Sequence, residues 1–399
     1  MEPIQWTLNT LPKSDDKWLS VMDCTITDQA RAFHRSFPQY AVTPLVSLQE
    51  MAKLLGVGGL WIKDESYRFG LNAFKVLGGS FAMARYIARQ TGRDVSEMSY
   101  NYLTSEALKR DFGQATFFTA TDGNHGRGVA WSAKRLGQKA VVHMPKGTRQ
   151  SRFDNIAKEG AQVTIEEVNY DACVRMAAAE AAETPNGVLI QDTAWDGYEE
   201  IPGWIMQGYG TMAAEADEQL GRAPTHIFLQ AGVGSMAAAV QGWFVNRYPD
   251  TPPKVIVVEA TAADCFYRSA VAGDGAPYAS KGDLNTIMAG LACGEPSTVA
   301  WDILRNHAAG FVACPDWVSA LGMRLLAAPA KGDSPVTSGE SGAACMGLLA
   351  AIMTDGSYAE LRHALELDEH SRVLLFSTEG DTDPERYKNI VWGGAYPVV

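Results

Sequence analysis

The chain has 399 residues, of which 46% are hydrophobic and 20% charged, a balance that provides a sizeable core and excludes wholesale disorder. Its formal charge of −12 excludes the basic footprint that nucleic acid needs. No apolar run reaches the length of a membrane span, and the opening MEPIQWTLNTLPKSDDKW lacks the charged, then apolar order of a secretion signal, so the expectation is a cytoplasmic protein without a membrane partner.

In chain order, LNAFKVLGGSFAMARY (71–86) begins a helix whose buried face is marked by Val76, Leu77, Phe81 and Met83, and Lys75 enters this apolar company at the first turn. A lysine there either snorkels to water or serves chemistry that wants a shifted pKa. Short apolar runs follow: ATFFTAT, KAVVHMP, AQVTIEEV, GVLIQDT, THIFLQAG, PKVIVVEA and SRVLLFSTEG. Helical stretches such as CVRMAAAEAAE and GTMAAEADEQLG separate them, which predicts an α/β fold built on mostly parallel strands. The β-α-β run that ends at TPNG (184–187) predicts a small inserted domain over 85–188, with 1–84 and 189–399 forming a larger one.

Six cysteines are scattered without a spacing suited to a metal. Cys265 and Cys293 both fall in loop-like sequence and could be bridged, but a reducing compartment disfavours the bond.

Four glycine-rich loops carry the chemistry. LQAGVGSMAAAV (229–240) follows an apolar strand and opens a small-residue helix, so the backbone from Gly232 through Val233, Gly234, Ser235 and Met236 makes a cup for a small phosphate monoester. It lacks the full patterns of nucleotide and dinucleotide loops. In ATDGNHGRGVAW (120–131), Asn124 offers an amide to a phenolate-like oxygen, while Thr121, Asp122, Gly123 and His125 surround a nest for a substrate carboxylate. VTSGESGAACMG (336–347) and LLFSTEGDTDPERY (374–387) complete the set, at strand ends where open parallel sheets place ligands. A lysine, a phosphate cup, an amide and a carboxylate nest together meet the demands of pyridoxal 5'-phosphate, with Lys75 as the Schiff-base lysine.

These motifs, in this order, resemble the fold type II pyridoxal phosphate enzymes, the tryptophan synthase β and threonine dehydratase group. The resemblance implies two open twisted α/β sheets with the cofactor in the cleft between domains, and commonly a homodimer. QDTAWDGYEEIPGWIMQGYGTMAAEA (191–216), RFGLNAFKVLGGS and FSTEGDTDPERY are similar to the carbon-nitrogen lyase branch that acts on 2,3-diaminopropionate of both hands. On that resemblance Lys75 is the base for the L isomer and Asp122, where the group usually has a small or hydroxylic residue, is the base for the D isomer. Asp192 holds the substrate's distal ammonium, its other reading being a turn or helix-capping residue. Ser377 or Thr378 meets the pyridine nitrogen, ahead of Glu379 or Glu340. The rival readings are a threonine or serine dehydratase or a racemase on the same fold, and a non-catalytic protein that keeps the cofactor or amino-acid cup.

Overall fold

The structure, a computed structural model, describes residues 2–121 and 123–398. Its strands are β1 (Gln5–Leu8), β2 (Leu45–Ser47), β3 (Gly59–Asp64), β4 (Thr116–Ala120), β5 (Lys139–Met144), β6 (Gln162–Ile165), β7 (Gly187–Leu189), β8 (His226–Gln230), β9 (Lys254–Ala260), β10 (Gly310–Cys314) and β11 (Arg372–Ser377). Every predicted apolar run is a strand. β1, β2, β3 and β10 are additional.

One compact unit takes Met1–Asp23, Val42–Tyr67 and Met212–Val399. Its sheet has the order β1-β10-β9-β8-β11-β3-β2, with the five inner strands parallel and the two edge strands antiparallel to their neighbours. Strands buried on both faces read as continuous apolar runs, and VIVV of β9 is such a run. Ile256, Val258, Val312 and Leu375 pack with Leu348, Leu349 and Ile352 of the helix Glu340–Thr354 in the core. Because β8, β9 and β11 are adjacent and parallel, the loops that leave their carboxyl ends emerge side by side.

The second unit takes Cys24–Ala41 and Arg68–Thr211. Its four strands, in the order β6-β5-β4-β7, are all parallel. Phe118, Val141 and Leu189 pack with Cys173 and Ala177 of the helix Tyr170–Glu183. The unit reaches beyond the 85–188 expected from sequence, for a reason of packing. The helix Val76–Thr91 lies against the helix Asn124–Arg135 so closely that a Cβ on Gly128 would come within 2.8 Å of the Val76 nitrogen. The helix Cys24–Arg35 joins through Phe33, whose ring centroid is 5.8 Å from that of Phe81.

Among the described residues no helix is long and apolar enough to cross a membrane.

The helix Glu200–Leu220 comes equally close to Val76–Thr91: a Cβ on Gly208 would lie 2.4 Å from the Leu77 carbonyl oxygen. Gly208→Val should therefore force the two helices apart and cost about 1–3 kcal/mol, read from urea unfolding midpoints. An unchanged midpoint would show that the approach is not needed.

Candidate active site

Lys75 stands at the N-cap of the helix Val76–Thr91, and the two residues that follow it, Val76 and Leu77, are buried. Its side chain, 20% exposed, runs past the Phe74 and Tyr209 rings, with Nζ 5.4 Å and 5.8 Å from their centroids. Nζ does not snorkel. It donates to Oδ2 of Asp192, a carboxylate only 5% exposed, so the lysine is matched inside the protein.

Two forces act on Asp192. Burial pushes its carboxyl up, but the Lys75 ammonium, His125 and the Lys75 hydrogen bond outweigh burial and hold the pKa down at about 2. Burial raises the Tyr209 phenol, so Tyr209 stands beside Lys75 as a neutral group.

The position of Asp192 follows from the segment that carries it. Tyr198 donates its hydroxyl to the Leu189 carbonyl at 2.9 Å and accepts from the Gln191 nitrogen at 3.0 Å. The Gln191 carboxamide oxygen accepts from Thr119 Oγ1 at 2.9 Å and from the Ala120 nitrogen at 3.0 Å, and its Nε2 donates to Tyr170 at 2.6 Å. The chain leaving β7 is thereby stitched to the end of β4.

The turn after β4 enters the same neighbourhood. Gly123 N donates to Thr121 Oγ1 at 2.9 Å, and Asn124 opens the helix Asn124–Arg135. His125 donates from Nε2 to the Ile190 carbonyl at 2.8 Å, which turns Nδ1 toward Asp192 at 3.9 Å. Lys75, His125 and Asp192 are thus brought together, with Thr121, Gly123 and Asn124 in the turn beside them. Asp122 lies outside the described residues.

In the other unit, β8 runs into the loop Ala231–Gly234 and the helix Ser235–Arg247. Gly234 has φ +91°, a left-handed conformation, and a Cβ there would meet the Phe266 ring at 2.3 Å, so no other residue fits. The N-cap residue, Gly234, has no side chain with which to cap the helix start. The first-turn N–H groups and the positive end of the helix dipole are set at the loop, with Val233, Ser235 and Met236 buried around it.

Ser377 ends β11 and donates its hydroxyl to Ser338 Oγ at 2.8 Å, while Thr378 Oγ1 accepts from Gln230 Nε2 at 2.9 Å. Both are buried, and Thr378 ties its loop to the last residue of β8. Glu379 accepts from the Ser341 nitrogen at 3.2 Å, and Glu340 lies 3.7 Å from Arg386. The sequence reading passed over Ser338, Tyr198, Gln191 and Tyr209. All four stand within the stretches 191–216 and 336–347, but the partners of Ser338, Gln191 and Tyr209 are distant in sequence. The six cysteines are thiols; Cys265 is not in a loop but opens the helix Cys265–Ala272.

An amine presented from a helix start and a glycine loop at a strand's carboxyl end are the parts that the pyridoxal-phosphate dependent enzymes use. The model of that family matches residues 37–379, and the chain belongs to it. Diaminopropionate ammonia-lyase of Salmonella typhimurium is 50% identical over 400 residues, which are 98% of this chain and 99% of the relative. The chain belongs, within the larger family, to the diaminopropionate ammonia-lyases. The crystal structure of the Escherichia coli diaminopropionate ammonia-lyase in complex with D-serine matches with a TM-score of 0.91 at 44% identity, over 100% of this chain and 99% of that one. The same enzyme in complex with an aminoacrylate-PLP azomethine reaction intermediate matches with a TM-score of 0.90 at 44% identity, over the same shares.

The depressed Asp192 carboxyl gives a test in acid, on the chain prepared without cofactor. Its contribution is fully present above the unfolded-state pKa of about 4 and is lost as pH falls toward the folded value of about 2. Asp192→Asn should lower stability at neutral pH by on the order of 2 kcal/mol, and the gap to the wild type should close between about pH 4 and pH 2. A gap that stays constant with pH would show that the pair does not set this pKa.

Proposed function

We propose that the chain uses pyridoxal 5'-phosphate to eliminate ammonia from 2,3-diaminopropionate, so that with one water the products are pyruvate and two ammonia. The observation that carries the reading is the Lys75–Asp192 pair, an amine at a helix start matched to a carboxylate that stays ionised. The donor set suits the cofactor. Lys75 provides the primary amine, Gly232 to Met236 provide backbone donors for the phosphate, and Asn124 provides an amide for the ring oxygen. Ser377 or Thr378 provides a neutral hydroxyl for the ring nitrogen. When bound, pyridoxal phosphate supplies an aldehyde carbon for the lysine amine and a ring that draws electrons from the substrate's α-carbon.

The remaining work falls to side chains. Lys75, once the substrate's α-amine takes its place, removes the α-proton of the L isomer at Nζ. Asp122 removes that of the D isomer, an assignment that rests on its place in the sequence. Asp192, with a pKa of about 2, is no acid near neutral pH. Its task is to hold a cation, first the Lys75 ammonium and then the substrate's distal ammonium. Thr121, Gly123 and His125 bind around the substrate carboxylate. The nitrogen on the β-carbon leaves with the electron pair of the C–N bond and departs as ammonia.

The reading includes a cytoplasmic homodimer. Two aromatic stretches are candidates for the interface, YNYL and the segment that begins at Trp392; the first, Tyr100–Leu103, buries Leu103 in its own unit, whereas Trp392 is 76% exposed. Sedimentation of the purified chain tests the dimer; a monomer at micromolar concentration removes it.

Two measurements test the chemistry. Ammonia and pyruvate should appear in a two-to-one ratio from diaminopropionate, and borohydride should fix the cofactor to Lys75, located by mass spectrometry. A label on another lysine would sink the reading. Asp122→Asn should lower kcat/KM for the D isomer by about 10² to 10⁴-fold, the usual loss for a general base, and for the L isomer far less. Equal losses would make Asp122 a shared binding residue.

A further inference from the structure

Glu259, on β9, is fully buried and has no part in the chemistry above. It holds the start of the helix Cys265–Ala272. Oε1 accepts from the Phe266 nitrogen at 2.9 Å and from the Cys265 thiol at 3.5 Å, and Oε2 accepts from the Tyr267 nitrogen at 2.7 Å. The two amides belong to the first turn, where a helix leaves its N–H groups without intrahelical partners and favours negative charge.

That helix forms the wall of the glycine loop. The Phe266 ring stands where a Cβ on Gly234 would come within 2.3 Å, and the Cys265 sulfur lies 4.0 Å from the Gly232 carbonyl oxygen. On the far side, a Cβ on Gly232 would lie 3.2 Å from Cys293 Sγ. Gly234 is therefore seated directly against the helix end that Glu259 anchors, while Gly232 lies between the Cys265 sulfur and the segment 290–293.

We propose that Glu259 is a positioning residue for the cofactor phosphate: by anchoring the helix Cys265–Ala272 it sets the seat of Gly232 to Gly234, and its ionisation tightens that seat. The inference rests on the assignment of the phosphate to this loop. All three partners of Glu259 are donors. An ionised carboxylate accepts from every one, whereas a neutral carboxyl turns a hydroxyl hydrogen toward one of them.

The surroundings make this ionisation reachable. Burial pushes the carboxyl up to about 8, against the pull of the Phe266 and Tyr267 amides and the Cys265 thiol, with Asp264 adding to the upward push. Asp264 is itself paired with Arg268 at 2.5 Å. The other titratable groups near it are thiols: that of Cys265, which touches Glu259 and has Cys293 nearby, and that of Cys314 on the neighbouring strand β10 are both raised by burial. The sign is that the anchoring form, the anion, grows as pH rises.

The test is phosphorus NMR of the cofactor bound to the holoenzyme, with the cofactor dissociation constant measured alongside, above the second ionisation of the phosphate at about 6. In the wild type the phosphorus shift should follow a titration near 8, and cofactor should be held more tightly on its alkaline side. Glu259→Gln should abolish that titration and raise the dissociation constant about tenfold, the worth of a lost charge-assisted hydrogen bond. Glu259→Asp, which keeps the charge on a shorter arm, should retain the titration. A Glu259→Gln protein that melts earlier yet keeps the wild-type phosphorus shift, pH profile and affinity overturns the proposal and leaves Glu259 a stabilising residue. Should that variant not fold, Phe266→Leu reads the same wall, and an unmoved phosphorus signal there overturns it equally. Loss of the glycine-loop assignment itself is distinguishable: Gly234→Asp would then leave cofactor affinity unchanged.

Discussion

A lysine at a helix start, four-fifths covered, can be kept only if its charge is answered on the spot, and Asp192 answers that of Lys75. An uncompensated buried charge costs about 3–5 kcal/mol, a large share of the stability of any domain. The local architecture of that unit serves the pair. Gly128 and Gly208 let two helices close on the turn that presents Lys75, while Phe74 and Tyr209 cover its stem. His125, oriented by the Ile190 carbonyl, adds a buried polar group beside Asp192.

On the proposed function, the glycine loop after β8 would meet a different electrostatic problem. The chain carries a formal charge of −12, and a dianionic phosphate would be repelled by its average field. Backbone N–H groups at a helix start can overcome such repulsion, because local dipoles within hydrogen-bond reach of an anion outweigh distant and screened charges. Such a cup depends on backbone shape, not on side-chain charge. That shape requires a left-handed residue at Gly234 and a wall at Phe266 that leaves no room for a Cβ.

Much of this was legible in the sequence, and the rest was hidden for identifiable reasons. The strands β4, β5, β7 to β9 and β11 announced themselves as apolar runs because each lies in a parallel array that buries most of it, whereas β6, an edge strand, showed through its alternation and its turn residues. GLWIKD of β3 did not, since it contains a lysine and an aspartate that are nonetheless buried, Lys63 through hydrogen bonds to Thr43 O, Glu215 and Gln219 at 2.8 to 2.9 Å. Lys75, Asp192 and the cup stood out because glycine spacing and an out-of-place charge are local signals. Gln191 and Ser338 did not stand out, because what matters about them is a partner elsewhere in the chain, and Tyr198 did not because its bonds to Leu189 and Gln191 exist only once the chain after β7 has folded back. The extent of the second unit was hidden for the same reason: it depends on which helix Gly128 and Phe33 touch, and periodicity within one segment does not say so.

The hidden residues explain how Asp192 could serve two cations in turn. A carboxylate that exchanges one ammonium for another must not move with either, or the second would find it displaced. The backbone at Gln191 is held by Tyr198, and the Gln191 side chain is committed to Thr119, Ala120 and Tyr170, so the segment has little freedom to follow its partner. Fully satisfied buried polar networks of this kind rigidify what they surround. The charge on Asp192 is then a fixed feature of the protein. Under the proposed function, what changes is the cation set against it, and the carboxylate would then favour a substrate that brings a second ammonium over one that brings a hydroxyl.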